Sequence, residues 1–226
     1  MTSRLDTAGP RHDVVVGVMA RAPLPGRCKT RLARTLGDEG AAELYRAMLL
    51  DTLAAYAELP VARLVVLAAP EADGVRYLRE LVPPGWDVVP QRGAGLGERL
   101  AAAQAELRPG AVLLVSSDSP NPPLSALSDA LTTWPSRSEV LLGPCDDGGY
   151  YLIGLPCPET RLFEGIPWST ARVLGETTAR CRELDLPMRL LPPAVDVDEV
   201  ADMNRLRAEL TDDPIHAPRT KRLLSR

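Results

Sequence analysis

Short apolar runs alternate with longer helical stretches along the first half of the chain, and this alternation limits the possible folds more than any other feature. The run DVVVGVMA at 13–20 has no polar face, as expected for a strand buried on both sides of a sheet. Further strands are predicted at 63–69, 86–90 and 111–116, separated by helices at 38–59, 71–81 and 97–107. The alternation predicts βαβ units, and therefore a mostly parallel, doubly wound α/β sheet with helices on both faces.

The second half of the chain continues this pattern less regularly. Strands are predicted at 139–143, 150–155 and 188–191, and helices after the turn at 119–123 to about 134, at 170–184 and at 200–210. Single α/β domains often exceed 200 residues, so we expect residues 1–210 to form one Rossmann-like domain. The segment 211–226 carries two prolines and four basic residues, and we expect it to be a flexible C-terminal tail.

The composition narrows the function classes. A net charge of −4 with 45% apolar residues indicates a globular chain and argues against nucleic acid as a partner. No apolar run reaches the length of a membrane span and no signal-peptide stretch precedes the first strand, so a cytoplasmic location is expected. The four cysteines are scattered, and His12 and His216 lie near the chain ends, which argues against histidine-based catalysis in the body of the fold.

The loop after the first strand, ARAPLPGRCKTRLA at 20–33, is the first candidate site. In open α/β sheets ligands bind at the carboxyl ends of the strands, which is where this loop lies. Its cations suit a polyphosphate, although a solvated basic loop is the alternative. Lys29 supports the phosphate interpretation because it is one of two lysines in a chain with 24 arginines. The predicted phosphate-binding residues are Ala20, Arg21, Gly26, Arg27, Lys29 and Arg31.

Carboxylates follow two later strands. Asp118, in SSDSP, comes directly after the fourth strand, where it could hold Mg²⁺ or cap a turn. Asp147, in the sequence CDDGG, is predicted as a second metal ligand, with a tight turn as the alternative. Asp196 and Asp198 form a DVD sequence in which Asp198 could simply begin the final helix.

A glycine-rich loop, QRGAGLGER at 91–99, leads into a helix. Its amide groups could contact a base edge or a phosphate, so Gln91, Gly95 and Gly97 are predicted nucleotide-binding residues, although an ordinary flexible loop is possible. The paired glycines Gly148 and Gly149 would let the backbone approach a second ligand closely.

In this order, the motifs resemble those of the selenodomain-associated transferase type 1 family, whose members are commonly labelled glycosyltransferases. They are ARAPLPGRCKTRLA, QRGAGLGERL, SSDSP, GPCDDGGYYLIGL, IPWST and DVDEVADM, spanning about 14–206. The resemblance implies a GT-A fold of the nucleotide-diphospho-sugar transferase superfamily. The loop KTRLA is more distantly similar to that of 2-phospho-lactate guanylyltransferases. Carried over, these resemblances imply phosphate contacts from Lys29 and Arg31 and a metal contact from Asp118. The residues that we predict to bind the acceptor are Gly148, Gly149, Tyr150, Trp168 and Ser169.

Three functions fit these residues. In nucleotidyl transfer, a phosphate- or carboxylate-bearing small molecule attacks a nucleoside triphosphate and pyrophosphate leaves, with no general base required. Lys29, Arg31, Asp118 and Asp147 would be the catalytic residues, with Mg²⁺ or Mn²⁺ as cofactor. Glycosyl transfer from a nucleotide sugar is the alternative, with Asp146 or Asp147 as base, although Ser116 replaces the first Asp of a typical DxD motif. A non-catalytic nucleotide-binding domain is the third possibility. We predict nucleotidyl transfer.

Overall fold

The computed structural model describes residues 11–69, 72–134, 138–212 and 217–225. The strands are β1 (Arg11–Ala20), β2 (Val61–Ala68), β3 (Trp86–Pro90), β4 (Ala111–Ser116), β5 (Val140–Pro144), β6 (Tyr150–Leu155) and β7 (Met188–Leu190). The helices are α1 (Thr30–Ala57), α2 (Ala72–Leu81), α3 (Leu96–Glu106), α4 (Leu124–Leu131), α5 (Val173–Glu183), α6 (Val200–Asp212) and α7 (Pro218–Leu224), with a 3-10 helix at Thr160–Phe163. None of the described helices is long and apolar enough to cross a membrane.

The strands form one seven-stranded sheet in the order β3-β2-β1-β4-β6-β5-β7. Strand β6 is antiparallel to both of its neighbours, and the other pairs are parallel. This confirms the predicted α/β class with a mostly parallel sheet. Strands 86–90 and 111–116 were predicted with the bounds that the structure has.

Helices cover both faces of the sheet, which explains why the strand sequences are apolar throughout. In β1, Val14, Val16 and Val18 contribute to a core that includes residues of α1, α2 and α4. Val15 faces the opposite core, where Leu100 of α3 and Cys181 of α5 are buried. A strand buried on both faces has no need of a polar alternation, because neither face meets water.

Three segments meet at the carboxyl edge of the sheet. Strands β1 and β4 are parallel neighbours, with Met19 paired to Ser116, so the loops that follow them lie side by side. Strand β7 runs parallel to β5, and the chain after it returns to the same edge, where Ala194 N–H donates to Pro144 O. Val197 N–H then donates to Asp118 O at 3.0 Å. The DVD segment is thereby attached directly to the loop after β4.

The first helix is longer than predicted. It begins at Thr30 instead of residue 38, and Gly37 interrupts it with a non-helical φ of 72° and ψ of 168°. Only a residue without a Cβ adopts this conformation readily. The interruption at Gly37 breaks the regular helical spacing of apolar residues, so that spacing did not predict the turns before it.

The predicted C-terminal tail differs from the structure. Residues 218–224 form α7, in which Thr220 and Leu224 are buried, and Ala217 packs with α1 and α6. Parts of the predicted domain and tail lie outside the described residues, and these include residues 1–10, 213–216 and 226. Glu71 of the predicted second helix also lies outside them. The buried carboxylate of Asp51 on α1 binds the N-terminus of α7, accepting from Thr220 N–H at 2.8 Å and Arg219 N–H at 3.3 Å. An acceptor at this position satisfies amide groups that have no partner within the helix.

Asp51→Ala is expected to destabilise the protein, because two buried or half-buried amide groups of α7 lose their acceptor. The expected loss is about 2–4 kcal/mol of unfolding free energy, measured by denaturant titration. Arg222→Ala, at an exposed position of the same helix, is the matched control, because it leaves Asp51 and both amide groups paired. It should cost below about 1 kcal/mol. Equal and small effects of the two variants would contradict the docking of α7 through Asp51.

Candidate functional site

Three carboxylates converge where the loops after β4 and β7 meet. Asp118, Asp196 and Asp198 each offer an oxygen, and these oxygens all lie within 4.8 Å of one another. Asp118 follows β4, and the hydrogen bond from Val197 N–H to its carbonyl holds the DVD segment beside it. Oxygen-only donors are the ligands that Mg²⁺ and Mn²⁺ prefer. The carboxylate cluster therefore fits a hard divalent cation.

Lys29 inserts its ammonium group into this carboxylate cluster. Its Nζ lies 2.7 Å from Asp118 Oδ1 and 2.8 Å from Asp198 Oδ1, and the side chain is 5% exposed. Burial by itself lowers the pKa of Lys29, but the attraction of Asp118, Asp198 and Asp196 outweighs it and raises the pKa well above its ordinary value. The residue has left-handed backbone angles, φ 44° and ψ 46°, directly before α1. Such a conformation is unfavourable for lysine, so the ion pairs help to hold it.

The charges of the carboxylate cluster do not balance. One ammonium group faces three carboxyl groups, so the cluster stays negative even with Lys29 in place. Partial burial, followed by repulsion from Asp118, raises the pKa of Asp196 to about 7. Its carboxyl group accepts from Ser119 Oγ at 3.1 Å. A divalent cation would remove this repulsion.

Tyr45 of α1 links the loops after β1 and β4 behind the carboxylate cluster. Its hydroxyl accepts from Arg21 N–H at 3.0 Å and shares a 2.7 Å hydrogen bond with Ser117 Oγ. Burial raises the pKa of Tyr45 well above its ordinary value, so the hydroxyl keeps its proton. The Lys29 ammonium lies 5.8 Å from the centre of the Tyr45 ring. The hydrogen bonds of the Tyr45 hydroxyl thus connect the loop that carries Lys29 to the loop after β4.

Two cavities meet at the carboxylate cluster. The first, of about 660 Å³, is lined by the loop after β1 and the start of α3, and we call it the basic cavity. Its cationic lining residues are Arg21, Arg27, Lys29, Arg31 and Arg99. The second, of about 590 Å³, lies over β4 and β6. We call it the apolar cavity after the aromatic and aliphatic side chains of one wall, although the rest of its lining is largely polar. Asp118, Asp198, Arg31 and Ser169 line both cavities.

The residues predicted to bind phosphate and nucleotide divide into two groups. Ala20, Arg21, Arg27, Lys29, Arg31 and Gln91 line the basic cavity. Gln91 also supports the sheet edge, donating from Nε2 to Leu67 O at 2.6 Å. Gly26, Gly95 and Gly97 are not among the lining residues. Gly97 instead packs against Trp168, whose Nε1 would lie 2.5 Å from a Cβ at this position.

The predicted acceptor residues surround the apolar cavity. Gly149, Tyr150, Trp168 and Ser169 line it, whereas Gly148 is not a lining residue. Gly148 has a φ of +86°, and a Cβ there would lie 2.1 Å from Ala171 O, so no other residue fits. Tyr150 and Trp168 make an edge-to-face contact with ring centres 6.4 Å apart.

The structure separates the two predicted metal ligands, Asp118 and Asp147. Asp147 lines the apolar cavity but is not part of the carboxylate cluster, and its Oδ1 accepts from Gly149 N–H at 2.8 Å, so its metal role stays a prediction. The residues that lie beside Asp118 are instead Asp196 and Asp198. The available sequence signal was a pair of acidic residues just after a short strand. These acidic residues reach Asp118 only because β7 lies parallel to β5, and local sequence does not determine that pairing.

Asp196→Asn is expected to stabilise the metal-free protein at neutral pH. The folded pKa of Asp196, about 7, exceeds the unfolded value of about 4, so ionisation destabilises the folded state progressively between these pH values. The variant escapes this loss and keeps an acceptor for Ser119. Its advantage should grow from about pH 4 to about pH 7 and reach on the order of 3 kcal/mol after allowance for partial exposure. Chemical denaturation in EDTA across this range measures it, with exposed Asp129→Asn as control. A pH-independent difference would contradict the expectation.

The fold is that of nucleotide-diphospho-sugar transferases. A Desulfovibrio desulfuricans G20 structure, provisionally described as a nucleotide-diphospho-sugar transferase, matches with a TM-score of 0.87 and 31% identity over 94% of each chain. CMP:2-keto-3-deoxy-manno-octonic acid synthetase complexed with CTP matches with a TM-score of 0.58 and 11% identity, covering 89% of this chain and 99% of that one. Rv0371c of Mycobacterium tuberculosis H37Rv in complex with manganese matches with a TM-score of 0.57 and 19% identity, over 86% and 97% of the two chains. At the last two identities the likeness shows the fold alone.

Sequence comparison identifies the family. Comparison with curated proteins gives no match. A family model described as "Uncharacterized protein conserved in bacteria (DUF2064)" matches residues 52–170, which is more than half of the chain. The match includes the loop at 91–99 and Asp118, and ends at the wall of the apolar cavity. The chain therefore belongs to the DUF2064 family.

Proposed function

We propose that this protein is a metal-dependent nucleotidyltransferase that joins a nucleoside triphosphate to a small molecule bearing a phosphate or carboxylate. The observation that carries the proposal is the position of the carboxylate cluster between the basic cavity and the apolar cavity. A metal site at this junction lies where a triphosphate in one cavity would meet an acceptor in the other. The more specific resemblance to selenodomain-associated transferases remains a prediction.

The proposed reaction is a displacement at the α-phosphorus. An anionic oxygen of the acceptor forms a bond to that phosphorus, the bond to the β-phosphate oxygen breaks, and pyrophosphate leaves with the electron pair. An acceptor oxygen that is already ionised needs no general base. Mg²⁺ or Mn²⁺ held by Asp118, Asp196 and Asp198 would supply charge neutralisation for the phosphate oxygens.

The cations of the basic cavity have the reach and chemistry to hold the β- and γ-phosphates. Guanidinium groups of Arg27, Arg31 and Arg99 provide forked donors that match phosphate oxygens. Lys29, at the junction, would carry a point charge between the carboxylate cluster and the leaving group. Donors arranged in advance around a departing pyrophosphate stabilise the transition state more than the fold.

The structural relatives support this choice. A cytidylyl-transferring enzyme with CTP bound shares the fold, and another relative holds manganese. Ser116, which stands where a DxD motif would have its first Asp, hydrogen-bonds through Oγ to Asp118 N–H at 3.0 Å and shapes the turn instead of adding a carboxylate. Asp147, the possible base for glycosyl transfer, already accepts from the Gly149 amide.

Lys29→Met should have opposite effects on catalysis and on metal binding. The rate of nucleotidyl transfer should fall by about 10²–10³ because a charge near the leaving group is lost. Without nucleotide, Mn²⁺ should bind more tightly than to the wild type, because the competing ammonium is gone. Electron paramagnetic resonance titration of Mn²⁺ measures the second effect. The control is Lys221→Met, which changes the second lysine of the chain. Because Lys221 lies on α7, the variant should leave both properties unchanged. Weaker Mn²⁺ binding by the Lys29 variant would contradict this arrangement.

Triphosphates should bind appreciably more tightly than the matching diphosphates in Mg²⁺, because each added charge-assisted contact contributes about 1.5–3 kcal/mol before desolvation.

Asp118→Asn should remove the enhancement of nucleotide affinity by Mg²⁺ and leave the protein folded. Asp129→Asn, at an exposed position, should keep that enhancement. Calorimetry with the four triphosphates, their diphosphates and nucleotide sugars measures affinity, and a coupled assay detects pyrophosphate. Preferential binding of a nucleotide sugar, with no pyrophosphate from any acceptor, would identify a glycosyltransferase instead.

A further inference from the structure

The two cavities carry opposite charge. The basic cavity has five cationic lining residues and two acidic ones, Asp118 and Asp198. In the apolar cavity, Asp118, Asp147, Asp196 and Asp198 are acidic, and among the described lining residues the single cation is Arg31. Arg31 is itself shared with the basic cavity and lies 3.3 Å from Glu199. A metal ion would offset the carboxylate cluster, whereas Asp147 lines the apolar cavity outside that cluster and would keep its charge.

The wall that carries Asp147 is built rigidly. Its carboxylate accepts from Gly149 N–H, and Gly148 packs so closely on Ala171 that a Cβ would overlap the Ala171 carbonyl. Leu174 N–H further donates to Gly148 O at 2.8 Å. The position of Asp147 is therefore fixed by the turn and does not depend on a bound ligand.

The remaining wall of the apolar cavity is aromatic and aliphatic. Trp168 is held between Tyr150 and Phe163, with both ring-centre distances at 6.4 Å, and α3 closes against it at Gly97. Leu100 and Ile153 complete this surface. An indole fixed on three sides offers a flat apolar face to a ligand at little cost in side-chain entropy.

We propose that the acceptor carries one anionic group and an otherwise uncharged body with an apolar face. The inference rests on the proposed function, because the anionic group would be the nucleophile directed at the metal-bound donor. The apolar body would contact Trp168, and a second anionic group would meet Asp147, while the single cation among the described lining residues, Arg31, is paired with Glu199. Trp168 and Asp147 are thus the residues that determine acceptor specificity.

Three phosphate monoesters test the two features separately in calorimetric titrations with Mg²⁺ and a saturating triphosphate analogue that has a methylene group between the α- and β-phosphorus, which fills the basic cavity but cannot release pyrophosphate. Phenyl phosphate has one anionic group and a ring. Methyl phosphate lacks the ring, and 4-carboxyphenyl phosphate adds a second anionic group to it. Phenyl phosphate should bind at least about tenfold more tightly than either of the others.

Two variants assign these preferences to residues. Trp168→Ala should weaken phenyl phosphate by about tenfold and leave methyl phosphate unchanged. Asp147→Asn should raise the affinity for 4-carboxyphenyl phosphate to that of phenyl phosphate, because the amide still accepts from Gly149 N–H while the charge is removed. Trp86→Phe, a change on the distant edge strand β3, is the control and should alter none of the affinities.

Tighter or equal binding of 4-carboxyphenyl phosphate by the wild type would overturn the inference, as would undetectable binding of phenyl phosphate at millimolar concentration. Either result leaves the nucleotidyltransferase proposal standing if a triphosphate still binds in a Mg²⁺- and Asp118-dependent way. Failure of triphosphate binding would overturn that proposal, and titrations with Mg²⁺ alone would then still report whether the apolar cavity rejects a second anionic group.

Discussion

The buried ammonium group of Lys29 holds together three segments that are far apart in the chain. It joins the loop after β1 to Asp118, which follows β4, and to Asp198, which lies 169 residues away. Without this cation, three carboxyl groups with oxygens within 4.8 Å of one another would repel each other, which is unfavourable even though Asp118 and Asp198 are partly exposed. The same ion pairs also hold the left-handed backbone at Lys29, from which α1 begins. The geometry of the site and the start of α1, the longest helix, therefore both depend on the ion pairs of Lys29 with Asp118 and Asp198.

The antiparallel strand β6 creates the second cavity. A parallel strand beside β4 would end at the ligand-binding edge, whereas β6 begins there, so the turn containing Gly148 and Gly149 and the ring of Tyr150 are delivered to that edge. This turn is compatible only with glycine at position 148 because of the adjacent Ala171 carbonyl. The basic cavity on the β1 side and the apolar cavity on the β6 side follow from this single reversal of strand direction.

The separation of charge between the cavities suits a reaction in which an anionic donor and a less charged acceptor must approach one metal ion. In the proposed reaction, the cations of the basic cavity would oppose the repulsion among phosphate oxygens, and the carboxylate cluster lies at the boundary between the cavities. This arrangement would place positive charge near the leaving group, where negative charge develops in the transition state.

The sequence by itself determined the α/β class and several strand bounds, because a strand buried on both faces is a continuous apolar run that can be recognised locally. It also predicted that Lys29 and Asp118 lie at the same edge of the sheet, since the loops after parallel strands of such a sheet meet there. Only the tertiary structure decided that Asp196 and Asp198 complete the carboxylate cluster, that Lys29 points into it, and that Asp51 docks α7. These contacts join residues 78 to 169 positions apart, and neither periodicity nor local turn chemistry carries information about pairing over that distance.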